Sequence, residues 1–138
     1  MSARIIGAVF LGGAIGSALR YLIFLGVEQA SLTEPETALV ATTVVNLLGA
    51  AFLGLVQATG SSRSDVRNSF WGSGLAGGFT TMSGLSLVTN SQDLGAFGNG
   101  TIFWSAVALQ LILGVLAYWL GRNVGGQQKL QNLFGSKN

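Results

Sequence analysis

Gly74-Leu75-Ala76-Gly77-Gly78-Phe79-Thr80-Thr81-Met82-Ser83-Gly84-Leu85-Ser86 places four glycines and four hydroxyl side chains inside an otherwise apolar segment. A helix that only faces lipid has no use for so many exposed backbone and polar groups, so something in the assembly must face this stretch. The Gly77-Gly78 pair also invites a local break. Breaks in membrane-spanning helices are tolerated where the freed carbonyls and amides line a cavity or bind an ion. The competing use of these glycines is close packing in an unbroken, weak helix.

The surroundings make this a membrane segment. Only 9% of the 138 residues are charged, against about 25% in soluble domains, and the mean hydropathy is +0.56. Four apolar runs, about 5–27, 38–58, 70–89 and 102–120, each approach the roughly 20 residues that cross a hydrocarbon core as helix. The expected fold is one all-α integral membrane domain over residues 1–138, with four transmembrane helices, the third broken at its Gly/Thr-rich stretch, and a polar tail over 121–138. The first run lies close to Met1 and continues too far for a cleaved signal peptide.

Working outward, the first span carries Gly12 and Gly16 in the spacing that lets two backbones approach. Arg20 sits inside the same apolar run, where a guanidinium must reach headgroups or find a partner, an anion vestibule being one such setting. The second span carries Thr42, Asn46 and Gly49 on one narrow stripe. The Asn46 carboxamide needs partners for two donors and an acceptor, which another helix or a passing solute would supply. In the fourth span Ser105 and Gln110 are the polar residues, and Trp104, Tyr118 and Trp119 read as interface or packing aromatics.

Charge fixes an orientation. With four spans, Arg4, Arg63, Arg67, Arg122, Lys129 and Lys137 fall on one side, while Glu28, Glu34, Glu36 and Asp93 fall on the other. The positive-inside rule then puts both termini in the cytoplasm, the natural membrane being the plasma (inner) membrane. A net charge of +2 with scattered basic residues offers nothing to nucleic acid.

The chain has no cysteine and no histidine, and no nucleotide-binding loop, catalytic dyad or triad can be assembled, so an enzyme is the least supported reading. None of the four runs contains an Asp or Glu, which removes the usual proton-coupling carboxylate. Neutral donors and one cation remain within the membrane. Such a set suits a small, strongly hydrated anion, whose water shell must be replaced without any site holding it too tightly.

Three stretches carry a resemblance that spans essentially the whole chain: Gly12-Gly13-Ala14-Ile15-Gly16-Ser17-Ala18-Leu19-Arg20-Tyr21, Val44-Val45-Asn46-Leu47-Leu48-Gly49, and Gly77-Gly78-Phe79-Thr80-Thr81-Met82-Ser83-Gly84-Leu85-Ser86. In order and spacing they resemble the Fluc (CrcB) fluoride channels. The resemblance implies an antiparallel dimer in the lipid membrane with two fluoride pores and a central structural Na+ held by backbone carbonyls. By the same resemblance Asn46, Thr81, Ser83, Gln110 and Arg20 line or flank the fluoride path, and Gly77 and Thr80 supply carbonyls to sodium.

One departure matters. The family motif continues Thr-Phe-Ser-Thr-Phe, its phenylalanine edges facing fluoride; here those positions are Met82 and Leu85, and the second threonine is Gly84. A chain held in one orientation by its charges cannot supply its own inverted partner. The expectation is therefore a heterodimer, whose second, inverted subunit brings the missing phenylalanines. A pore-degenerate or non-conducting subunit is the alternative, and a small four-helix drug exporter, which would want a carboxylate in the first span, is a more distant one.

Overall fold

The computed structural model describes residues 2–29, 34–59, 64–81 and 100–134. All of its regular structure is helical. Helix α1 is Ala3–Glu28 and α2 is Glu34–Thr59. Three contiguous pieces, Asp65–Asn68, Ser69–Ala76 and Gly77–Phe79, are labelled together α3. Helix α4 is Gly100–Phe134. Helix α1, the Thr37–Thr59 portion of α2 and the Val107–Gln127 portion of α4 are long and apolar enough to cross a membrane. Met82, Ser83 and Leu85 lie outside the described residues.

Small side chains set the packing. Among the described residues the buried apolar ones are Ala41, Val45, Val56 and Ala76, none larger than valine, while Phe10, Leu22, Ile112 and Trp119 are more than half exposed. This inversion is the signature of helices that meet through close backbone approach and turn bulky residues to lipid. A Cβ on Gly12 would strike Phe70 O and lie 2.8 Å from Leu75 N; one on Gly16 would strike Leu75 O and lie 2.8 Å from Phe79 N. The glycine spacing in α1 therefore serves packing on α3. Along this contact the middle of α3, Ser69–Ala76, has wide π-helical turns, with the Gly77 amide bonded back to Gly72 O. Across the bundle, Gly54 meets Tyr118 and Arg122, and Gly121 meets Ala51 in the same backbone-to-backbone fashion. A tilted Phe52–Trp71 contact ties α2 to α3, and within α3 Phe70 packs edge-to-face on Trp71.

These pairings also give direction. Contacts advance together along α1 and α3, and along α2 and α4, so each of those pairs runs parallel. Because α2 and α4 point the same way, the chain between them must return across the bundle, and the 15 residues of α3 begin that return.

Two expectations about element ends change. Residues 34–36, expected in the loop, start α2, and Pro35 suits a first turn because its missing N–H has no helical partner there. The expected polar tail is helical through Phe134. Its length, 35 residues or about 50 Å of helix, exceeds the roughly 30 Å of a hydrocarbon core.

Candidate functional site: a helix break beside a cavity

Helix α3 stops one residue after its glycine pair. Gly77 and Gly78 remain helical, and Thr80 turns extended, with φ −74° and ψ 155°. The Thr80 amide still reaches Ala76 O at 3.0 Å, and its hydroxyl donates to the same carbonyl at 3.1 Å. The next amide does not continue the ladder. Thr81 N donates to Asn46 Oδ1 at 2.8 Å, while Asn46 Nδ2 donates to Thr81 O at 2.9 Å. Asn46 thus stands in for a peptide unit and closes off the broken end. This pair uses one of its two Nδ2 hydrogens.

Helix α1 closes the other side of the break. Ser17 Oγ donates to Gly78 O at 3.3 Å, and Arg20 Nη1 donates to Thr80 O at 3.2 Å. Arg20 thereby acquires a third use beside headgroup contact and an anion vestibule: its charge sits at a helix C-terminus, where carbonyls favour a cation. The stripe on α2 is equally specific. Gly49 leaves room for Thr80, whose Cγ2 a Cβ would strike, and Thr42 is fully buried with no partner for its hydroxyl.

A cavity of about 570 Å³ opens beside the break. Asn46 faces it from α2, Gly77 from α3, Thr80 and Thr81 from the extended chain just past α3, and Gln110, Gly114 and Tyr118 from α4. Gln110 Nε2 is buried there without a hydrogen-bond partner. The structure therefore gathers Asn46, Thr80, Thr81, Gln110 and Gly77 around one space, with Arg20 behind the break on its α1 side. Tyr118 is the residue the sequence reading assigns elsewhere. It lines the cavity, and its hydroxyl donates to Gln57 Oε1 at 2.6 Å. The signal was the spacing of Gln110, Gly114 and Tyr118, four residues apart on one face of α4.

No cluster of three or more acidic, His or Cys side chains exists among the described residues, so a cation at the break would take main-chain carbonyls. The two candidates differ. The Thr81 amide that would close a helical turn on Gly77 O is turned to Asn46, which suits Gly77 O to a hard cation. Thr80 O already accepts from the Arg20 guanidinium.

A family model described as CrcB-like protein, Camphor Resistance (CrcB), matches residues 7–122. The chain is 32% identical to fluoride-specific ion channel FluC 2 of Corynebacterium jeikeium, covering 91% of this chain and 84% of that protein. It is 30% identical to FluC 2 of Bacillus subtilis, over 94% of this chain and 97% of the relative. With FluC of a Ruegeria species it shares 36% identity over 82% and 87% of the two chains. The glycine-packed membrane helices, the broken α3 and these matches, continuous from α1 into α4, show that the chain belongs to the CrcB-like family.

Proposed function

We propose that this chain is one subunit of a passive fluoride channel that exports the ion from the cytoplasm down its electrochemical gradient, through two pores at an antiparallel dimer interface. The carrying observation is the cavity at the helix break, whose polar groups are neutral and include the unpartnered Gln110 Nε2. A buried donor without an acceptor is costly, and a passing anion supplies one. The free Nδ2 hydrogen of Asn46 adds a second donor, and Arg20 supplies attraction without lying in the cavity wall. Thr81, and Ser83 beyond it in sequence, extend this track. The relatives' names, fluoride-specific ion channels, support the choice of anion. This is a conducting subunit, not an enzyme.

At the break a structural Na+ would be held by the Gly77 carbonyl, with Thr80 the weaker ligand because of Arg20. Bound there, it would supply fixed positive charge that ties two crossing chains together. The inverted partner is a different chain: six basic residues flank one side of the membrane and none the other, and Met82 and Leu85 stand where aromatic edges are wanted. Relatives numbered FluC 1 and FluC 2 fit a family in which one organism carries more than one such chain. Both termini face the cytoplasm in the inner membrane.

Liposomes provide the test. The chain co-expressed and purified with a paralogue of opposite charge bias should release fluoride, and the chain alone should not. Strong efflux from the chain alone overturns the obligate partner. If Asn46→Ala in this chain leaves the complex's flux unchanged, the pore-degenerate reading replaces the conducting one.

A further inference from the structure

Helix α4 outlasts the helix it packs on. Gly121 and Gly125 seat it against Ala51, Leu55 and Ala58, and α2 then ends at Thr59, whereas α4 runs on to Phe134. Another side of α4 carries Trp119, 58% exposed, and Arg122, exposed one turn later. Gly126 continues that side a further turn on. A Cβ there would meet nothing within 4 Å, so this glycine serves no helix contact, and it is not part of the cavity wall.

Side chains on a helix lean toward its N-terminus, so the surface a residue covers lies over the turn before it. The missing side chain at Gly126 therefore bares the helix beside Arg122. The Arg122 guanidinium has no hydrogen bond or ion pair among the described residues, and α4 contains no acid to supply one. At this end of the bundle the described charges are Arg4, Arg67, Arg122 and Lys129 against Asp65 alone. Depth along the helix is equally informative. Trp119 closes the apolar run, the place of an indole at headgroup level, and α4 is longer than the hydrocarbon core, so its turns from Arg122 onward pass through the headgroup layer. Leu116 and Leu120, both more than half exposed, carry an apolar surface inward from there. A phosphodiester offers two free oxygens, which a guanidinium receives in parallel. Because the cationic group adjoins lipid-facing apolar surface, the phosphate it suits is one that carries acyl chains.

We infer that the outer side of α4 at Trp119, Arg122 and Gly126 is a binding site for an anionic phospholipid. The phosphate is held by Arg122, the headgroup lies on the surface bared at Gly126, and the acyl chains run inward past Trp119 and Leu116. The site is separate from the cavity at the helix break and does not depend on which ion the chain conducts.

The tryptophans supply the reporter. The chain has three, Trp71, Trp104 and Trp119, so Trp71→Phe combined with Trp104→Phe leaves Trp119 alone beside the site. The full chain is reconstituted in phosphatidylcholine vesicles that contain either dibrominated phosphatidylglycerol or dibrominated phosphatidylcholine, whose bromines quench an indole they touch. Quenching of Trp119 should show at least about a fivefold preference for phosphatidylglycerol, the equivalent of one basic residue at an anionic surface. Arg122→Gln should remove that preference. So should Gly126→Leu, which leaves every charge in place and has room for the added side chain; an unchanged unfolding midpoint in detergent makes its loss local, and Gly126→Val repeats the test with a smaller group if the leucine variant unfolds early. Equal quenching by the two lipids overturns the inference. A preference that survives both Gly126 variants and disappears only in Arg122→Gln also overturns it, since attraction to charge alone would then account for the binding. Relief of phosphatidylglycerol quenching by soluble glycerol phosphate at matched ionic strength would make the ligand a free phosphate and overturn the lipid assignment.

Discussion

Asn46 commits one hydrogen and its acceptor to the main chain of Thr81, so its replacement has a structural and a transport consequence that differ in size. Interhelical hydrogen bonds within membranes average about 0.6 kcal/mol and reach about 1.7. Asn46→Ala, losing two, should therefore destabilise the subunit by about 1–3 kcal/mol, seen as a lower unfolding midpoint in detergent. Asn46→Asp keeps the acceptor for Thr81 N while removing both donors and adding negative charge. Its second oxygen then faces the Thr81 carbonyl where Nδ2 donated, so it should unfold no later than the alanine variant, and its negative charge should hold fluoride efflux below that of the parent. Arg20 obeys a related logic. Its bond to Thr80 O is charge-assisted, a class worth about 1.5–3 kcal/mol, and Arg20→Gln should forfeit most of it, whereas Arg20→Lys should retain part.

At the scale of the helix, glycines that look alike in sequence have opposite roles. On Gly16 a methyl group meets only backbone, Leu75 O and Phe79 N, which cannot yield as a side chain would. Overpacking of this kind costs about 1–3 kcal/mol. Gly114 has open space, and alanine there gains up to about 1 kcal/mol of helix propensity. Thermal unfolding in detergent should accordingly rank Gly114→Ala at or above the parent and Gly16→Ala well below it. The reverse order would mean that α1 and α3 do not meet through Gly16. The Gly12–Gly16 spacing was readable because close approach needs small residues four apart, whatever the partner. The position of the break was readable only to within a few residues: Gly77 and Gly78 stay helical, Gly78 lying against Gly13, and the ladder ends where Asn46 captures the Thr81 amide. That end depends on a contact between residues 35 apart in sequence, which no local pattern contains. Gly121 and Gly125 mislead for a similar reason. In sequence they resemble a helix stop, but against α2 they are contact points, and α4 continues past them to Phe134. Tyr118 carries the same ambiguity, since an aromatic near a span's end suits an interface as well as a cavity wall.

For the whole molecule, the deciding quantity is the asymmetry of charge across the bundle. The parallel pairs α1–α3 and α2–α4 place Arg4, Arg67 and Arg122 at one end, because α1 and α3 begin where α2 ends and α4 emerges. The connection between α1 and α2 offers no Lys or Arg to oppose them. Orientation follows the Lys/Arg count in short loops and near helix ends, and here one side has all of it, so insertion should be one-way. A reporter fused after Asn138 makes this measurable. One active only in the cytoplasm should give full signal, and one active only outside should give none. Neutralising Arg67 and Arg122 while placing two lysines within 29–33 should then produce signal from both reporters, because the counts on the two sides approach each other. The same variant tests the proposed need for a second chain. If orientation alone enforces the heterodimer, the dual-inserting variant should form antiparallel homodimers detectable by crosslinking, and those homodimers should still conduct poorly, since Met82 and Leu85 are unchanged in both subunits. If they conduct as well as the partnered channel, the partner's contribution is its orientation and not its side chains.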